Sequence, residues 1–254
     1  MAPLFFAFRY FTNLPFPGEL RWNKETAAAS LTWLPFTGLT LGIGLALLEV
    51  FFQTTGFPQL PHLRALLSVL LELWMGGALA VDGFGKTCEG FFSGLSRTRR
   101  TQLMQESYLS VRGVLGLVFW ALGKTLLLAE LSLQGGFLYI LLFYPCWSRW
   151  AISFTACRYA VASDEGMAFF FKIGQKPAYG ILSSAFMLLV LMFMPRHFYL
   201  AALASFAALL FCCSLVQARL GGQSEGTYGF SAVSAELTFL LFSALSGLAF
   251  QRYL

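Results

Sequence analysis

Charge is what this sequence has least of. Its 254 residues hold 12 acidic and 17 basic side chains, 11% of the chain, where a soluble domain carries about 25%. Hydrophobic residues make up 57%, and mean hydropathy is +0.69. The longest polar gap, 82–110, is too short for a water-solvated domain. A soluble enzyme is thereby excluded, and a polytopic membrane protein is expected. The five cysteines, Cys88, Cys146, Cys157, Cys212 and Cys213, are odd in number and fit neither a zinc nor a disulfide spacing. They read as small buried hydrophobes. The only histidines, His62 and His197, stand at the ends of apolar runs and read as interfacial. The opening MAPLFFAFRYF lacks a basic n-region and a small-residue cleavage site, so the first segment is expected to stay with the protein. There is no internal repeat and no low-complexity tract.

What is present in quantity is apolar runs of spanning length, with 28 phenylalanines suited to lipid-facing surfaces. Seven runs lie near the ~20 residues that a bilayer core requires. They are about 27–52, 63–81, 111–133, 136–157, 178–195, 198–218 and 229–250. The expected fold is an all-α bundle of about seven transmembrane helices, forming one membrane domain over 1–254. Residues 1–25, broken by Arg9, Pro15 and Pro17, read as an interfacial or re-entrant segment. Threading these spans puts the N-terminus and the 82–110, 158–177 and 219–228 segments on one side. That side holds Arg9, Arg21, Lys24, Lys86, Arg97, Arg99, Arg100, Arg112, Arg158, Lys172, Lys176 and Arg219, twelve of the 17 basic residues. By the positive-inside rule it is cytoplasmic. The net charge of +5 is then mostly topology and requires no nucleic-acid partner.

Within this poor supply, charge is concentrated just past the second run. Asp82, Lys86, Glu89, Arg97, Arg99, Arg100, Glu106 and Arg112 all follow it closely. The 82–110 segment therefore reads as a cytoplasmic loop carrying a polar site at the membrane surface. If the chain stays helical past Asp82, then Asp82, Lys86 and Glu89 share a face. Asp82 and Glu89, joined by Glu106, would suit a divalent cation; a plain salt-bridge ladder explains the same spacing. Lys124 and Arg149 lie inside spans, where a charge must be paired or face a cavity. They fit an anion-binding cavity, or pairs with Glu72, Glu130 or Glu236 that fix helix packing. Gly221, Gly222, Gly226 and Gly229 cluster before the last span, with Glu225 among them. Glycines let backbone approach a ligand and the helix start that follows offers N–H groups to an anion; a flexible turn is the alternative.

The motifs resemble those of the cobalamin synthase family, the membrane adenosylcobinamide-GDP ribazoletransferases, along nearly the whole chain. FAFRYFTNLPFPGE is similar to the family's start, which ends in T-R-L-P-x-P, and WLPFTGLTLG to its first span. VDGFGKTCEGFFSG resembles the acidic signature L-D-G-L-A-D-T-x-D-G. RRTQLMQESYLSVRG, GKTLLLAEL, SRWAISFTACRYAVASDEG and GGQSEGTYGFSAVSAEL follow in order. Asp82, Gly83, Thr87 and Gly90 keep the acidic signature. Lys86 stands at its second aspartate and Glu89 at its third, while Ala80 replaces a common histidine. Glu106 and Tyr108 replace the aspartate and arginine of the next motif. In the last, Gly226 takes the aspartate's place, and Glu225 keeps a carboxylate one position earlier.

The resemblance implies phosphoryl-type transfer by positioning and charge neutralisation. A hydroxyl of α-ribazole or its 5′-phosphate attacks the phosphate nearer cobinamide in adenosylcobinamide-GDP, and GMP leaves. It implies Mg²⁺ on Asp82, Glu89 and Glu106, with Lys86 in the catalytic set. Lys124, Arg149, Arg158, Gly221, Gly222 and Glu225 would contact substrate. It also leaves room for a homo-oligomer or for contacts with other cobalamin-assembly enzymes. Replacing a carboxylate by Lys86 changes local charge by +2. Either the ammonium takes a metal's place against phosphate, or the chain is a paralog that binds a corrinoid or partner without turnover. The first predicts a pocket where Asp82, Glu89, Glu106 and Arg149 converge; the second predicts Lys86 salt-bridged to Asp82 or Glu89. A transporter, the third class, lacks support from inverted repeats or paired broken helices.

Overall fold

Twelve helices carry the described residues of the structure, a computed structural model that describes residues 2–16, 23–56, 60–106, 108–163 and 166–251, with side chains to 247. Arg21, Glu165 and Arg252 lie outside these. The helices are α1 (Ala2–Phe11), α2 (Lys24–Ser30), α3 (Leu34–Thr54), α4 (Pro61–Gly76), α5 (Leu79–Phe92), α6 (Arg97–Gln105), α7 (Val111–Ser132), α8 (Phe137–Arg158), α9 (Met167–Ile173), α10 (Pro177–Met192), α11 (Phe198–Leu220) and α12 (Glu225–Gln251). A 3₁₀ turn, Leu31–Trp33, joins α2 to α3. Among the described residues there is no strand, only one parallel bridge between Val161 and Gln223.

Each of the seven expected spans meets a long helix, so the all-α membrane bundle holds. Four stretches, 24–54, 111–132, 198–220 and 225–247, are long and apolar enough to cross a membrane singly, and two bent pairs raise the number to six. Helix α8 is as long, at 22 residues, but Pro145, Ser148 and Arg149 dilute its apolar content. Its place is the centre of the bundle, where it packs against α3, α10 and α12. Outside, the belt is apolar: Leu47, Leu70, Trp74, Phe119, Met192 and Phe211 are all exposed. So large a continuous apolar surface is stable only against lipid.

Missing side chains set the closest contacts. A Cβ on Gly38 would lie 2.3 Å from the Pro145 carbonyl oxygen, and one on Gly42 would lie 2.8 Å from that of Leu141. Pro145 has no N–H, so the Leu141 carbonyl has no intrahelical donor. The Gly38-x-x-x-Gly42 face of α3 seats on this step of α8, as small residues four apart do where backbones touch in membranes. Polar ties also cross the core: Trp147 donates to Ser205 (2.7 Å) and Trp150 to Ser184 (3.1 Å).

The 82–110 segment is not a loop. Helix α4 stops at Gly77, whose φ of 67° is open to glycine, and the chain turns by 99° into α5. Two donors satisfy the carbonyls stranded at that turn. Asn13 N–H bonds Met75 O (2.8 Å), and the Arg149 guanidinium bonds Gly76 O (3.1 Å). Asp82 and Lys86 thus sit on a second helix running across the end of the bundle.

Candidate active site

Segments expected on one side of the membrane line a single cleft. A cleft of about 560 Å³ is lined from α5 by Leu79, Asp82, Gly83 and Lys86, and from α6 by Thr101, Met104 and Gln105. Residues on either side of 164–165, from Ala162 to Ala168, and the glycine-rich stretch formed by Leu220 and Gly222–Gly226 close it. Glycines again make the join. A Cβ on Gly83 would come within 2.6 Å of Gly226 O, and one on Gly229 within 2.2 Å of Ala80 O. Helices α5 and α12 therefore touch backbone to backbone, and the acidic motif lies against the glycine-rich motif. The glycine loop is held on its other side as well. Ala162 N–H donates to Gln223 O (2.8 Å), and Gln223 N–H donates to Ala160 O (2.7 Å). Gly221 has φ of 81°, and the Arg97 guanidinium fills the space that a side chain there would need. Arg97 Nε also donates to Leu220 O (2.8 Å), capping the end of α11.

Three charges face the cleft among its described residues: Asp82, Lys86 and Glu225. The Lys86 ammonium lies 2.9 Å from the Asp82 carboxylate, one turn away, with both side chains partly open to solvent. Glu225 begins α12 and accepts a hydrogen bond from the Tyr10 hydroxyl. Ser224 and Thr227 bracket that helix start reciprocally, Thr227 Oγ1 accepting from Ser224 N–H at 2.7 Å.

The remaining expected site residues lie elsewhere. Glu89 is 2% exposed and takes no part in lining the cleft. Its carboxylate accepts from Ser110 N–H (2.6 Å) and from the Ser110 hydroxyl, at the start of α7. It caps that helix, where the dipole favours an anion. Glu106 ends α6 outside the cleft lining. Asp82, Glu89 and Glu106 therefore do not fit a shared magnesium ion, and among the described residues no three His, Cys, Asp or Glu side chains converge on one. Arg158 is exposed beside the Tyr159 ring.

Lys124 and Arg149 lie on the far face of α5, around a separate cavity of about 20 Å³, room for about one water. Lys124 is 1% exposed. It pairs with Glu72 (2.6 Å) and with Glu236, and lies over the Tyr144 ring at 4.8 Å. Tyr144 in turn donates to Glu72 (2.6 Å). Of the expected partners Glu130 is exposed and takes no part in this cluster. These cations are bound to carboxylates and a helix end, so they bolt α4, α7, α8 and α12 together. Tyr10, Asn13 and Arg97 escaped sequence reading because each acts on a segment distant in the chain.

A family model described as cobalamin-5-phosphate synthase matches residues 3–244. The chain belongs to the cobalamin-5-phosphate synthase family. Proteins named adenosylcobinamide-GDP ribazoletransferase from Escherichia coli (strain K12), Shigella flexneri and Shigella boydii serotype 4 (strain Sb227) are each 33% identical over 250 residues, covering 95% of this chain and 99% of theirs. No solved structure matches. Family membership accounts for seven motifs in the right order. It leaves the altered acidic positions to be read from this chain's own geometry.

Proposed function

We propose that this chain is a membrane transferase of late cobalamin assembly. It joins adenosylcobinamide-GDP to α-ribazole or its 5′-phosphate, releasing GMP. The observation that carries the reading is the cleft itself, where the acidic and glycine-rich motifs lie in backbone contact around Asp82, Lys86 and Glu225. The ribazole hydroxyl oxygen forms a bond to the phosphorus nearer cobinamide, the bridging P–O bond breaks, and GMP departs with that oxygen. The proton lost from the hydroxyl goes to a carboxylate. Asp82 is tied to Lys86, so Glu225 is the base. Lys86 stays paired with Asp82 and presents its remaining N–H donors to the phosphate oxygens, neutralising charge there. The first turn of α12 presents N–H groups to the same anion. No step passes through a metal on Asp82, Glu89 and Glu106.

The excess of basic residues on the cleft side supports a cytoplasmic orientation in the inner membrane of a prokaryote. There a bulky, amphipathic corrinoid can meet the site at the membrane surface.

One observation favours a second reading. The Lys86–Asp82 pair is the contact expected of a paralog that binds a corrinoid without turnover. Purified protein in lipid, given adenosylcobinamide-GDP, α-ribazole and Mg²⁺, separates the two when a Lys86→Asp variant is assayed beside it. Cobalamin formation by the native chain is expected. Formation by the variant alone, or by neither, leaves the binding paralog.

A further inference from the structure

The N-terminal segment touches the cleft on α12 and the α4–α5 bend beside it. At Tyr10 the phenol hydroxyl holds the Glu225 carboxylate on α12. Three residues on, Asn13 N–H holds Met75 O at the α4–α5 bend, and its side-chain oxygen lies against Gly77. Between them, Thr12 Oγ1 bonds back to Phe8 O (2.6 Å) and closes the end of α1. The rings keep the segment in place: Phe11 stacks on Phe171 of α9 at 6.0 Å, and Tyr10 meets the same ring edge-on at 6.3 Å. The ten residues of α1 are therefore anchored at their C-terminal end, and the residues there touch α12, which carries Glu225, and the bend from which α5, carrying Asp82 and Lys86, sets out.

We propose that Tyr10 is a positioning residue for the transfer, and that Tyr10–Asn13 is a strap setting Glu225 at a fixed place relative to Asp82 and Lys86. This rests on the transferase reading given above. A glutamate has three rotatable bonds and, at the first position of a helix, no neighbouring turn to restrain it. A donor on one carboxylate oxygen fixes the side chain and leaves the other oxygen for the attacking hydroxyl. Burial, and then the Glu225 charge, push the Tyr10 phenol well above its ordinary range, so it remains the donor in this pair. The group transferred to phosphorus is still the ribazole oxygen; Tyr10 gives up no proton.

The test is a double-mutant cycle in the lipid assay, with every variant checked for native-like thermal unfolding. Glu225→Gln is expected to lower kcat by about 100-fold or more, the scale of a lost general base. Tyr10→Phe keeps the ring against Phe171 and removes only the hydroxyl. It is expected to lower kcat by about tenfold, as for one hydrogen bond to a charged group. KM for adenosylcobinamide-GDP is expected to stay within about twofold, because the lost interaction acts in the transition state. The double variant is expected to be no slower than Glu225→Gln alone, since Tyr10 acts through Glu225. Losses that multiply, or a Tyr10→Phe defect confined to KM, overturn the strap while leaving the transferase standing. An inactive native chain overturns the transferase and the strap together.

Discussion

The first turn of α5 separates two groups of charges built from the same kinds of side chain. Below it Lys124, Glu236 and Arg149 are buried and Glu72 is nearly so, and the described contacts pair each cation with a carboxylate or a helix-end carbonyl. Above it Asp82, Lys86 and Glu225 line an open cleft. In a low-dielectric interior an unpaired charge is expensive, so the lower group must be complete before any ligand arrives. At the surface, water covers whatever the protein leaves unpaired, so the upper group can exchange partners at little cost. Sequence shows both groups as rare charges in an apolar chain; depth decides which of them is available to substrate.

Breaking the lower group is expected to have the largest effect on stability. Lys124→Met takes away the ammonium that bridges Glu72 and Glu236, at a cost of about 3–5 kcal/mol. Melting in detergent is expected about 10 °C lower. Equal melting temperatures would mean that the cluster is not a unit. Gly229→Ala comes next, because it drives a methyl against Ala80 O and parts the two groups' common wall. A loss of about 1–3 kcal/mol is expected, with transfer activity falling more than stability does. Lys86→Met marks the small end of the series. Its exposed pair with Asp82 is worth at most about 1 kcal/mol, yet turnover is expected to fall about 100-fold, as when one charge-stabilising group is removed from a reacting centre. A Lys86→Met protein that melts early but turns over normally would reverse the comparison.

The two groups also differed in how far sequence could place them. The spans were legible because lipid demands long apolar runs, and all seven predicted starts fall within four residues of a helix start. The second span overran furthest, ending at 81 where α4 stops at Gly76. The run Met75–Val81 is apolar throughout, but Gly76 and Gly77 stand inside it, and the turn at Gly77 moved Asp82 onto a helix of its own. Helical spacing correctly put Lys86 one turn from Asp82, because that is a local relation. Glu89 shares the same helix, but its orientation is set by the start of α7, 21 residues away, and no local pattern carries that information. Lys124 and Arg149 were recognisable as charges needing a partner. Whether the partner was substrate or glutamate depended on which helices α7 and α8 faced. Tyr10 offered no signal, being one aromatic residue among many in a phenylalanine-rich segment.

The buried cluster has one more consequence, for a bundle built to cross a membrane. Two cations stand against two carboxylates, so the group carries no net charge. A transmembrane voltage acts on net displaced charge, at about 2.3 kcal/mol per elementary charge per 100 mV. On Lys124, Arg149, Glu72 and Glu236 together it finds nothing to move. The bend that Arg149 holds at Gly76, and with it the attitude of α5, is thereby insulated from the membrane potential, and loss of any one of the four would turn a neutral brace into a voltage-coupled one.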